Sequence, residues 1–206
     1  MANMTLITGG ARSGKSQFAE LMAKQYDSVT YVATAQIYDA EMKLRVEKHK
    51  AQRPAHWKLV EEPYHLSQVL DQHQHEADVM LIDCVTLWLN NLIFSMSPDT
   101  DWFNSETLNK ADQEILEKRI MDQVMETIRT ARNISSKLIF VSNEVGLGIV
   151  PDNPLSRFYR DLAGRVNQLI GQAADEVYMV MAGYPVEIKK QGQKILAELK
   201  SHEVKR

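Results

Sequence analysis

Five short apolar runs punctuate the chain: MTLIT at 4–8, SVTYVAT at 28–34, VMLIDC at 79–84, KLIFVSN at 137–143 and EVYMVMAG at 176–183. The first four are each followed by turn residues and then a longer amphipathic stretch. Strands covered by helices on both faces read as continuous apolar runs rather than as strict alternation, so the pattern predicts a mostly parallel central sheet flanked by helices, an α/β fold. Within 108–132, Leu116, Ile120, Val124 and Ile128 recur every four residues while Asp, Glu, Lys and Arg fill the other positions. That spacing predicts a long surface helix packed on the sheet. SMSPDTDW at 95–102 reads as a loop before it, with Pro98 as the breaker. From Lys189 the tail is rich in Lys, Gln and Glu and reads as a solvated helix or a frayed end. No repeat or linker interrupts the pattern, so residues 1–206 are expected to form a single domain.

Composition narrows the function. The 206 residues are 44% hydrophobic, enough to build one well-buried core. A net charge of −3, with basic residues spread along the chain, leaves no polycation to neutralise a nucleic-acid backbone, so nucleic acid is not expected as a partner. The single cysteine, Cys84, can form neither an internal disulfide nor a cysteine-rich zinc cage, which fits a reducing compartment. The opening MANMTLIT is too short for the apolar region of a secretory signal, and no run of about 18 apolar residues could span a bilayer. The chain is therefore expected to be soluble and cytoplasmic, with no integral membrane segment.

Candidate chemistry begins at the first turn. Gly9-Gly10-Ala11-Arg12-Ser13-Gly14-Lys15-Ser16 fits G-x-x-x-x-G-K-[ST], and it lies where the motif works, between an apolar run and a helical start at Gln17-Phe18-Ala19-Glu20. Backbone N–H groups of such a loop, with the following helix N-terminus, attract phosphate oxygens. Lys15 is expected to reach the β- and γ-phosphates, and the Ser16 hydroxyl to bind Mg²⁺. Asp83, ending a second apolar run, is the candidate second metal ligand; aspartate also favours capping the strand-to-helix turn found there. Cys84 reads as a small buried hydrophobe.

A second cluster follows in DAEMKLRVEKHKAQRPAHW. Arg45 and His49 are one helical turn apart, and Lys48, Lys50 and Arg53 add cationic charge beside them. Pro54 disfavours helix at Arg53, so the helix should stop there and release Arg53 and His56 into a loop. Neighbouring cations favour a neutral imidazole with a free lone pair, as a nucleophile requires, and would also steady a phosphorus centre under attack. By spacing alone, a surface histidine on a basic helix is the commoner reading.

These segments carry a family resemblance. TGGARSGKS, YVATAQ, RVEKHKAQRPAHW with Glu61 behind it, LIDCVTLWLNNL, SNEVGLGIVPDNPLSR and AGRVNQ occur in this order. Together they resemble the bifunctional adenosylcobinamide kinase / adenosylcobinamide-phosphate guanylyltransferase family of cobalamin biosynthesis, over most of the chain from about Thr5 to Gly183. The phosphate loop is shared by many families; H-x-x-x-R-P-x-x-W, N-E-V-G and A-G-R-V-N-Q are far more specific. The resemblance implies a P-loop NTPase fold of the RecA-like branch, assembled as homotrimers with sites near subunit boundaries. It also implies two reactions, phosphorylation of adenosylcobinamide by ATP or GTP and transfer of GMP from GTP to adenosylcobinamide phosphate. His49 matches the family's guanylylated histidine. Nucleotide contacts are implied at residues 9 to 16, at Ala33, Thr34 and Ala35, at Lys50, Ala51, Gln52 and Arg53, at Glu61 and at Asp83.

Other marked residues read more plainly. Asn143-Glu144 could orient a substrate or close a strand turn. Arg157, Arg160 and Arg165 could bind phosphate or form a solvated face. Trp57, Trp88 and Trp102 read as packing residues, and His65, His73 and His75 as surface.

Overall fold

The computed structural model describes residues 4–36, 44, 53–97 and 109–203. In chain order these residues form β1 (Met4–Thr8), α1 (Lys15–Ala23), β2 (Val29–Ala33), β3 (Lys58–Glu61), α2 (Leu66–His73), β4 (Val79–Asp83) and α3 (Val85–Met96). There follow α4 (Lys110–Asn133), β5 (Lys137–Val141), α5 (Pro154–Ala173), β6 (Glu176–Met181), β7 (Tyr184–Glu187) and α6 (Lys189–Glu203).

All the described strands join one sheet, in the order β3-β2-β4-β5-β1-β6-β7. Every pairing is parallel except the antiparallel β6–β7 hairpin. One strand, β5, stands between β1, which feeds the glycine-rich loop, and β4, which ends in Asp83. This is the RecA-like arrangement of the P-loop fold, with a mostly parallel sheet and flanking helices.

Strand pleating divides the core in two. Leu6, Val32, Met80, Ile82, Leu138 and Phe140 face α2, α3, α4 and α5, whereas Ile7, Tyr31, Leu81, Ile139 and Val141 face α1. Successive residues of a strand point to opposite faces, which is why neither face leaves an alternating trace in the sequence. Trp88 of α3 is buried in the larger layer, with its indole N–H donating to Tyr64 O at 2.8 Å. Burying such a ring stabilises the fold by up to about 4–6 kcal/mol, taking roughly 150–250 Å² at about 25 cal/mol per Å².

The five apolar runs coincide with β1, β2, β4, β5 and β6, shortened by up to two residues at an end. The predicted long helix is α4, and Leu116, Ile120, Val124 and Ile128 are its buried stripe. It starts at Lys110 because the Asn109 side chain accepts from Ala111 N at 3.0 Å. Two expectations need correction. Ser95 and Met96 belong to α3 rather than to a loop, because that apolar helix continues through Met96; residues 98–102, Pro98 and Trp102 among them, lie outside the described residues. The edge strands β3 and β7 were not anticipated, being four residues long and largely exposed. The tail is helical, as α6. No helix among the described residues is long and apolar enough to cross a membrane.

Candidate active site at the phosphate loop

The loop between β1 and α1 is held from both sides. Glu144 N donates to Gly9 O at 3.1 Å and Gly183 N to Ser13 O at 2.9 Å, so the ends of β5 and β6 anchor the loop backbone. Gly9 permits a close approach: a Cβ there would lie 2.5 Å from Val180 O and 2.7 Å from Ser13 Oγ. Gly14 stands at the N-cap of α1 with φ +96°, a left-handed conformation that favours glycine. Among the described residues no side chain caps the helix it opens.

Lys15 folds back over this loop and donates from Nζ to Gly10 O at 3.1 Å. Burial holds the ammonium below its ordinary value, with Cys84 and Asp83 opposing the shift. The hydroxyls of Thr8 and Ser13 are buried without hydrogen-bond partners among the described residues. A buried ammonium, two unpaired hydroxyls and an uncapped helix start form a donor set suited to phosphate oxygens.

Three predicted positions meet at adjacent strand ends. Ala33 of β2 pairs with Glu61 of β3 on one side and with Asp83 of β4 on the other. Ligands of open parallel sheets bind beyond such carboxyl ends. The Ala33-Thr34-Ala35 turn is fixed there, since Thr34 Oγ1 donates to Cys84 O at 2.8 Å and accepts from Cys84 N at 2.9 Å. Asn91 Nδ2 also reaches Thr34 O, at 2.7 Å. Asp83 does not cap α3; its Oδ2 accepts from Tyr31 Oη at 2.8 Å. The Arg53 guanidinium in turn lies 3.9 Å from the centre of the Tyr31 ring. Burial and Asp83 together push the Tyr31 hydroxyl far above the usual phenol range.

His49, Lys50, Ala51 and Gln52 lie outside the described residues, as do Arg45 and Lys48. Arg53 stands at a bend beside Tyr31, while the helix expected before it lies outside the described residues. Tyr31 is the functional-site residue that the sequence pattern hid, because an aromatic inside an apolar run reads as core. Cys84 is buried and its thiol is pushed up to about 11, chiefly by burial, so it is no nucleophile.

The remaining candidates have structural partners. Asn143 Nδ2 donates to Thr86 Oγ1 at 2.7 Å, and Glu144 Oε1 closes a turn by accepting from Gly146 N at 3.0 Å. Arg157 donates to Pro151 O and Asp152 O, Arg160 pairs with Asp161, and Arg165 pairs with Glu117. His73 hydrogen-bonds Glu76, which Lys58 also holds. Trp57 and Trp88 are buried.

The family model described as cobinamide kinase / cobinamide phosphate guanyltransferase matches residues 5–188. The bifunctional adenosylcobalamin biosynthesis protein CobU of Escherichia coli strain K12 is 41% identical over 186 residues, covering 90% of this chain and 99% of that protein. CobU of Salmonella typhimurium strain LT2 matches with the same identity and coverage. The bifunctional adenosylcobalamin biosynthesis protein CobP of Pseudomonas aeruginosa strain PAO1 is 39% identical over 185 residues, covering 89% of this chain and 96% of that one. Among solved structures, an ATPase from the type III secretion system of pathogenic bacteria aligns at TM-score 0.49 and 11% identity, over 90% of this chain and 56% of that chain.

Proposed function

The chain belongs to the cobinamide kinase / cobinamide phosphate guanyltransferase family, and from that premise we propose that it performs both transfers of cobalamin biosynthesis at the phosphate loop. In the first, the terminal phosphoryl group of ATP or GTP passes to the free hydroxyl of adenosylcobinamide. In the second, GMP passes from GTP to adenosylcobinamide phosphate, giving adenosylcobinamide-GDP and pyrophosphate. The observation that carries the reading is the glycine-rich loop with a buried Lys15 folded over it, one strand removed from the β4 end that carries Asp83.

The residues have separable tasks. Residues 9 to 16 hold the β- and γ-phosphates, and Lys15 follows the charge that builds on them during transfer. Ser16 and Asp83 would hold Mg²⁺, which supplies charge neutralisation on the phosphates when bound. The donor set fits that ion: one hydroxyl and one carboxylate leave the rest of an oxygen shell to nucleotide and water, as Mg²⁺ prefers. Ala33, Thr34 and Ala35, Lys50 to Arg53 and Glu61 contact the nucleotide. A ring nitrogen of His49 attacks the α-phosphorus, forming an N–P bond as the bond to the β-phosphate oxygen breaks and pyrophosphate leaves. An oxygen of adenosylcobinamide phosphate then attacks the same phosphorus and releases the imidazole. The kinase step needs no covalent residue, because positioning and electrostatics supply most phosphoryl-transfer catalysis.

One domain serves both steps in this proposal, in a cytoplasmic homotrimer. Exposed Met181, Tyr184, Ile195, Leu196 and Leu199 on the last hairpin and helix favour self-association. The decisive experiment is intact mass after incubation with GTP and Mg²⁺. The native protein is expected to gain one guanylate, labile in acid and stable in base, and His49→Asn none. A native protein that gains no guanylate mass refutes the proposal.

A further inference from the structure

Tyr31 and Asp83 share a face of the sheet. Tyr31 pairs with Leu81 on the neighbouring strand, and Asp83 lies two residues further along β4, so the pleat turns both side chains toward the α1 side. This diagonal lets the phenol donate to Oδ2 of Asp83 at 2.8 Å. Among the described residues nothing donates to Oδ1, so the hydroxyl decides which carboxylate oxygen is presented to a ligand. The same ring carries the Arg53 guanidinium at 3.9 Å, four residues along the chain from His49. Trp57, buried in the same layer as Tyr31, pins the far end of that short stretch.

We propose that Tyr31 is a positioning residue: its hydroxyl orients the metal-binding carboxylate, while its ring stacks under the Arg53 guanidinium. A phenylalanine would fill the same volume and keep the stacked cation, so packing alone does not call for the hydroxyl. The hydroxyl adds a hydrogen bond to a charged acceptor, which fixes the carboxylate rotamer more firmly than packing does. The inference rests on the nucleotide and metal assignment above.

Two substitutions separate the two contacts. Tyr31→Phe removes the hydroxyl and keeps the ring; Arg53→Met removes the cation and keeps the hydroxyl. The first readout is turnover-free: calorimetric affinity for ADP with and without Mg²⁺, the ratio being the magnesium gain. Tyr31→Phe is expected to shrink that gain roughly tenfold, the usual weight of a hydrogen bond to a charged group. Arg53→Met, which leaves the hydroxyl in place, is expected to lower the magnesium gain less than Tyr31→Phe does. A Tyr31→Phe protein with the native magnesium gain overturns the proposal, and a lowered unfolding temperature in that protein would then mark Tyr31 as a packing residue only. If the native protein binds MgADP but acquires no guanylate, the bifunctional assignment fails while the magnesium gain still decides the role of Tyr31.

Discussion

Replacing Gly9 by alanine tests whether the phosphate loop is held by sterics as well as by hydrogen bonds. The added methyl group would lie 2.5 Å from Val180 O and 2.7 Å from Ser13 Oγ. Val180 belongs to β6, which is paired with β1 on one side and β7 on the other, so its carbonyl cannot retreat without breaking sheet pairing. The loop must move instead, straining the bond from Glu144 N to Gly9 O. Overpacking of this kind costs about 1–3 kcal/mol. In a chain of 206 residues each kcal/mol lowers the melting temperature by roughly 2–4 °C, so the fall should lie between about 2 and 12 °C. Gly10 is the internal control, because a Cβ there meets nothing within 4 Å. Gly10→Ala should change stability by less than about 0.5 kcal/mol. Differential scanning calorimetry of both variants measures the contrast, and titration with MgADP should show weaker binding for Gly9→Ala, whose loop has shifted. Equal melting temperatures for the two alanine variants would refute the argument.

Lys15 gives a pH signature. Burial lowers its folded pKa below 10.5, so between that lowered value and 10.5 the unfolded chain binds more protons, and stability rises with pH across the window. The stability difference between the native protein and Lys15→Met, followed by urea unfolding, should therefore move in favour of the native protein as pH climbs toward 10.5; a flat difference would contradict the burial account. Trp88→Phe removes the indole donor to Tyr64 O and should cost about 1–3 kcal/mol, read from the urea midpoint at constant slope. Unchanged stability would mean that this carbonyl finds another donor.

What the sequence revealed depends on whether a residue's task is local. The phosphate loop is legible because strand, turn and helix start are contiguous, and Gly9 to Ser16 sit in register with all three. The α4 stripe is legible because helical neighbours recur within four residues. Tyr31 was not, since its partner Asp83 is 52 residues away and only strand pairing brings them together. The strands β3 and β7 escaped for another reason: edge strands with exposed residues such as Leu59, Tyr184 and Val186 lack the apolar run that marks a buried strand. Asp83 could be read either as a metal ligand or as a cap, and the structure pairs its Oδ2 with Tyr31, a partner the sequence pattern did not offer.

The carbonyls of Gly9 and Ser13 are already engaged by neighbouring strand ends, while the helix behind them starts without a cap. The cradle thus joins main-chain donors to the Lys15 ammonium and the small hydroxyls of Thr8 and Ser13, a set that suits a triphosphate tail and is blind to the purine attached to it. Under the proposed function such a loop would seat adenine and guanine donors alike and leave the choice between them to surfaces further along the nucleotide. A chain asked to accept one phosphoryl donor and one guanylyl donor gains from an entrance that does not discriminate.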